Sequence, residues 1–173
     1  MAITAPTRTR CDILSTIKIR VDTKQSIDLM IELGQYQWIS EILLRRKLHY
    51  PHVPTQTSPI LEARIALVQV QGDPEISSVE ANALIQSSLG LVPIELLALL
   101  AIGIQYPHLQ TEFPIVALGA RTAINNCDYV FKLGTHRFST TNTKAKALLH
   151  HRCDLPFFCA NCLFPAFIPL DRD

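Results

Sequence analysis

Residues 77–121 read SSVEANALIQSSLGLVPIELLALLAIGIQYPHLQTEFPIVALGAR, and this stretch sets the architecture. Ser77 and Glu80 stand three apart ahead of an apolar series. That is the spacing at which a serine oxygen and a glutamate carboxylate satisfy each other's free backbone donors at a helix start. Ala81, Leu84 and Ile85 follow at helical spacing, and Gly90 supplies the stop. Pro93 and Glu95 suit the opening of a second helix that runs to about Ile104. Leu96, Leu97, Leu99, Leu100 and Ile102 leave that helix almost no polar face, so it must be buried on several sides. Tyr106-Pro107 closes it, and Pro114–Leu118 follows as a buried strand. A helix–helix–strand block is the expected centre of the fold.

Upstream, Ala63–Val70 is apolar on both faces, as an interior strand requires. Ile17, Ile19 and Val21 alternate with Lys18, Arg20 and Asp22, the period of a strand with one buried face. Ser26 to Gly34 predicts a short helix, with Ser26 as cap, Gly34 as left-handed stop, and Leu29, Met30 and Leu33 on one face. Tyr36 and Trp38 fall in the turn that leaves it. Glu41–His49 is compatible with helix or strand, and the prolines of Tyr50–Pro59 mark a loop. Residues 1–15 lack periodicity and suit a flexible arm. Downstream, Tyr129–Leu133 predicts a strand and Thr140–His151 a short helix. Residues 155–173 form an extended C-terminal segment that Pro156, Pro165 and Pro169 restrict to a sheet edge or clamp. The sum is one α+β domain over 1–173, a mostly antiparallel sheet of about four to six strands with two or three helices on one face.

Hydrophobic residues make up 48% and charged residues 18% of the chain, which favours a filled core over disorder. A net charge of +1 gives no global attraction to nucleic acid or anionic lipid, so such binding needs a local patch. The N-terminus lacks the apolar run of a secretory signal. The longest apolar run, Leu96–Ile104, is far short of the roughly 20 residues that cross a bilayer. Five cysteines without an export signal suggest thiols in a reducing cytoplasm.

Two motifs carry a resemblance. The segment 95–119, ELLALLAIGIQYPHLQTEFPIVALG, and the earlier MIELGQYQWI of residues 30–39 resemble a family of small, mostly uncharacterised bacterial and phage proteins. That family has a buried helix, an aromatic–proline turn, an "EFPIVALG" strand and a G-x-Y-D-W/Y-V motif. Position 37 here is Gln where the family has aspartate. The resemblance covers roughly residues 20–121 and implies a fold unit and a bacterial or phage context, with no chemistry attached.

Candidate chemistry is sparse. His150, Cys153, Cys159 and Cys162 include a Cys-x-x-Cys pair and could hold a structural zinc. Set against this, cysteines among Phe and Leu also suit a core. The same pair as a redox centre would need a helix N-terminus, and its neighbours suggest extended chain. Arg45, Arg46 and Lys47 with the nearby Tyr50 form a basic segment with an aromatic that could meet phosphate and base, or simply be solvated. No nucleophile elbow, HExxH or glycine-rich phosphate loop is present.

Two functional expectations follow. The first is a non-enzymatic binding or assembly protein with a protein partner or homo-oligomer, acting through apolar surface that Leu96–Ile104 and Leu155–Leu170 leave uncovered unless the two segments cover each other. The second is a nucleic-acid-associated accessory protein using the Arg45–His52 segment, with or without zinc. Neither involves a membrane.

Overall fold

The computed structural model describes residues 9–41, 60–72, 76–137, 144–155 and 161–169. Their strands are β1 (Arg10–Asp22), β2 (Trp38–Ile39), β3 (Ile60–Gln71), β4 (Val92–Pro93), β5 (Ile115–Ile124), β6 (Cys127–Arg137), β7 (Lys144–Arg152) and β8 (Leu163–Phe167). The helices are α1 (Ile27–Leu33), α2 (Ser78–Leu89), α3 (Leu96–Gln105) and the single turn α4 (Leu109–Glu112). The chain is α+β with one mostly antiparallel sheet in the order β1-β3-β8-β5-β6-β7-β2, and β4 pairs with β8. Among the described residues this makes eight strands and four helices, more of each than the sequence suggests.

The helices occupy both faces of the sheet, not one. Successive residues of a strand point to opposite sides, and β3 shows the consequence. Ile65 and Leu67 join a cluster with Met30 of α1 and Leu99, Leu100 and Ile102 of α3. Ala66, Val68 and Val70 join a second cluster with Ala81 and Ile85 of α2. A strand apolar on both sides needs cover on both sides, so β3 already required the second helical layer.

The helix starts differ in how local they are. Ser77 caps α2 as expected: its Oγ accepts from Glu80 N at 3.3 Å, and Glu80 Oε2 accepts from Ser77 N at 2.9 Å. Gly90 closes α2 in the left-handed conformation at φ 62°. Pro93, expected at the first turn of α3, lies in β4 instead, and α3 begins at Leu96 without a side-chain cap. In α1 the stop differs as well. Gly34 has φ −68°, and it is Gln35, at φ 51°, that turns left-handed. Only Met30 of α1 is buried, while Leu29 and Leu33 are exposed.

Two segments change class. Residues 144–152, expected as helix, form β7; Leu148 packs on the α3 side, while Ala145 and Ala147 are buried behind it, so apolar residues on both faces mask the strand period. The C-terminal segment supplies β8, which lies between β3 and β5 rather than at an edge. Pro165 is tolerated there because of where its nitrogen points. A residue's N–H and C=O project to the same side of a strand, and the Pro165 carbonyl accepts from Ile94 N at 3.1 Å. The absent N–H therefore falls at the seam where β5 gives way to β4. The same seam explains Gly119. Its N–H donates to the Ile94 carbonyl at 3.0 Å, and a Cβ there would lie 2.7 Å from the Pro93 oxygen. The β5–β6 register jumps across this point, from Ala117↔Phe131 to Arg121↔Val130. Finally, β1 starts at Arg10, so the second half of the expected arm is strand.

Candidate functional site

The Leu96–Ile104 helix does not provide an open apolar surface. Leu99, Leu100 and Ile102 are fully buried, and Leu163 of β8 packs in the same cluster. Of the two segments expected to leave surplus apolar surface, the helix is buried, whereas in the C-terminal one Leu163 is buried with it, Leu155 is exposed and residues 156–160 lie outside the described ones. Other exposed apolar side chains lie elsewhere, and the pair at Ile13 and Leu14 sits on the outermost strand, each about half exposed (47% and 49%).

That strand has one hydrogen-bonding edge free of β3, and the molecule closes part of it. Gln105, the last residue of α3, uses its carboxamide as a strand would: Oε1 accepts from Arg20 N at 3.1 Å, and Nε2 donates to Arg20 O at 2.7 Å. The Tyr106 hydroxyl donates to Lys18 O at 2.7 Å. Unpaired edge groups invite further strands, and covering them is a usual defence. Among the described residues no side chain covers the outer edge of Arg10–Thr16 in this way. A bulge divides the two halves, since pairing with β3 passes from Ile13↔Val68 to Ser15↔Leu67 and leaves Leu14 extra. In the open half, Arg10 Nε lies 3.2 Å from Asp12 Oδ2 and its Nη2 donates to Gln71 Oε1 at 3.1 Å.

The opposite edge is closed by the glycine–aromatic motif. Gln37 N donates to Lys146 O at 3.0 Å, and Lys146 N donates to Gln37 Oε1 at 2.7 Å. Position 37 thus acts as an acceptor for a strand amide, a role an aspartate could also fill. Lys146 Nζ donates to Gly34 O at 2.7 Å and stands 5.9 Å from the Tyr36 ring centre. A Cβ on Gly34 would overlap the Tyr36 ring, so this glycine is required for space, not for its backbone angles. Trp38 meets His136 edge-on at 4.7 Å.

At the same edge Ser40 Oγ and His150 Nδ1 share a hydrogen bond of 2.6 Å. His150 also meets the Tyr129 ring edge-on at 5.1 Å. Burial, then the positive fields of His151 and Lys132, hold the His150 imidazole below its ordinary titration range. Burial does the same to His151, against a hydrogen bond with Leu155 O that pulls it upward. A serine–histidine pair with catalytic purpose needs an acceptor that orients the ring and an accessible nucleophile. Ser40 is 6% exposed, and among the described residues no carboxylate holds the His150 ring.

The proposed zinc ligands are only partly placed. Cys153 and Cys162 are buried in the α2-side cluster, and the Cys153 carbonyl accepts from Ser78 Oγ at 2.9 Å. Cys159 lies outside the described residues, as do Arg45, Arg46, Lys47 and Tyr50 of the basic segment. Among the described residues no three His, Cys, Asp or Glu side chains gather as a metal site, and no helix is long and apolar enough to cross a membrane.

A cleft of about 240 Å³ opens where α4 packs against β6, lined by Gln110, Glu112, Lys132, Gly134 and Thr135 and by Lys144 of β7 among others. That is below the roughly 300–1,000 Å³ of ligand pockets. Gln110 in its wall is 1% exposed, and its carboxamide has no hydrogen-bond partner among the described residues. Compared with family models, curated proteins and solved structures, the chain finds no match in any of the three.

Proposed function

We propose that the chain is a non-enzymatic binding or assembly protein of bacterial or phage origin, acting through the open half of the β1 edge. The observation that carries this reading is the contrast along one strand. Gln105 and Tyr106 close the edge at Arg20 and Lys18, whereas among the described residues nothing covers the outer side of Arg10–Thr16, where Ile13 and Leu14 are exposed. The occupant is an extended segment of another protein molecule, which adds its backbone to the sheet and lays apolar side chains on Ile13 and Leu14. The bacterial or phage context rests on the resemblance over residues 20–121. The basic segment Arg45–His52 enters this reading at no point.

A fluorescent peptide of alternating valine and threonine tests it. Ile13→Pro removes an edge donor and Leu14→Asp makes the apolar patch charged, and each is expected to abolish binding, while Arg45→Ala/Arg46→Ala leaves it unchanged. Undiminished binding by both β1 variants overturns the reading, as does a chain that binds no peptide and stays monomeric at high concentration.

A further inference from the structure

Strand pairing has a parity that carries from one strand to the next across this sheet. Tyr106 and Gln105 take the outward groups of Lys18 and Arg20, so Ile17, Ile19 and Val21 bond to β3. On β3, Ile65 opposite Ile17 therefore faces β1, and Arg64, whose carbonyl accepts from Ile168 N at 3.0 Å, faces away. Counting on, Leu67, Gln69 and Gln71 face β1. Their partners before the bulge are Asp12 for Gln69 and Arg10 for Gln71. Asp12 and Arg10 thus bond inward, and the outward N–H and C=O groups of the open half belong to Thr9, Cys11 and Ile13.

From this we infer that a second copy of the chain occupies the edge, its β1 antiparallel to the first, with a two-fold axis beside Cys11. The inference rests on the edge reading above and adds the identity of the occupant. Outward residues must pair with outward residues, which leaves few registers. Pairing Cys11 with the partner copy's equivalent of Ile13 sets the two copies of Asp12 against each other, a like-charge pair at close range. Registers further along run into Gln105 and Tyr106. Pairing Cys11 with its own equivalent instead places Thr9 opposite Ile13 and each Arg10 opposite the other copy's Asp12. Arg10 and Asp12 then form the non-hydrogen-bonded pairs, where side chains come closest. The ion pair seen within one chain, 3.2 Å from Arg10 Nε to Asp12 Oδ2, becomes a ring of alternating charge across the axis. The contact is isologous and closes after two copies, because each edge is consumed by the other. It pairs few residues, so the dimer is concentration-dependent.

Charge exchange reads the register directly. Sedimentation velocity of the full chain over a concentration series is expected to show a monomer–dimer equilibrium. Arg10→Asp and Asp12→Arg, each alone, bring like charges together and weaken it by roughly tenfold. A mixture of the two single variants recovers association as a heterodimer, and the double exchange recovers it in one chain. A general loss of folding cannot produce that recovery, and circular dichroism of each single variant confirms native structure. If neither the mixture nor the double variant recovers association, the register is wrong. If the chain stays monomeric while the extended peptide still binds and Ile13→Pro abolishes that binding, self-pairing is overturned and the edge reading stands. If neither self-association nor peptide binding occurs, both fall.

Discussion

The hydroxyl of Tyr36 occupies the space that a side chain at Gly103 would need. Glycine inside a helix is ordinarily a weakness, and replacement by alanine gains about 1 kcal/mol. Here Gly103→Ala is expected to destabilise by about 1–3 kcal/mol, because the methyl would overlap a side chain packed into the core. Burial pushes the Tyr36 phenol well above its ordinary titration range, and its oxygen has no hydrogen-bond partner among the described residues. Tyr36→Phe should therefore leave stability unchanged or raise it, and should offset part of the Gly103→Ala loss. Urea denaturation of the two single variants and the double variant checks the coupling; strictly additive effects would refute the contact.

Among the described residues Gln110 is the other buried side chain without a hydrogen-bond partner. Replacing it by leucine or methionine removes an unsatisfied carboxamide whose burial costs about 1–3 kcal/mol. Gln110→Met is expected to raise the thermal midpoint. A fall of several degrees would mean that the amide is satisfied in solution.

The histidines at the end of β7 predict a pH window. Both fold with titration below the ordinary value of about 6.5, chiefly through burial. A group depressed in the folded state binds its proton more readily when unfolded, so stability is complete above that value and falls as pH drops below it. Denaturant midpoints should be flat from pH 8 to about 7 and decline towards 5.5. His150→Gln should reduce the slope while the Ser40 position keeps a partner. An unchanged slope would place the titrating group elsewhere.

Ser77→Ala removes the reciprocal cap of α2 and should destabilise by about 1 kcal/mol. The carboxylate of Glu80, held below its ordinary range first by the Ser77 side chain and then by its backbone, returns towards that range in the variant. A carboxyl titration followed by NMR shows both effects in one sample.

Gln105→Ala uncovers the Arg20 edge groups. It is expected to increase self-association and aggregation with little loss of helix stability, since alanine is the better helix former. Light scattering of the variant against the parent distinguishes this from simple destabilisation.

What the sequence discloses depends on how local the determining physics is. The Ser77 cap and the Gly90 stop are settled within a few residues and are found where their patterns indicate, and the all-apolar α3 is buried as its composition requires, although it starts at Leu96 and not at Pro93. The α+β class follows from them. Other features depend on partners far along the chain. Ala145, Leu148 and Leu149 satisfy helical spacing, yet they form a strand because both faces of β7 meet cover. Leu29 and Leu33 share a face with Met30 on paper, but α1 docks on α3 through Met30 and leaves the leucines outside. Pro165 argues against an interior strand until the β4–β5 seam is known. The candidate site is legible only in part. Exposed Ile13 and Leu14 have no distinctive sequence signature, and the closure of half an edge by Gln105 and Tyr106 is a contact between residues some 85 apart in the chain.

β8 also bears on the order in which the molecule can be made. It lies between β3 and β5, so the antiparallel β1–β3 pair and the β5–β6–β7 meander are joined through a strand synthesised after both. A nascent chain halted before Leu163 holds two half-sheets with facing raw edges and a helix, α3, whose apolar surround is incomplete. Completing the sheet requires β8, and contacts of such long sequence separation form slowly. Until β8 arrives, those edges are the part of the protein that a chaperone would have to shield.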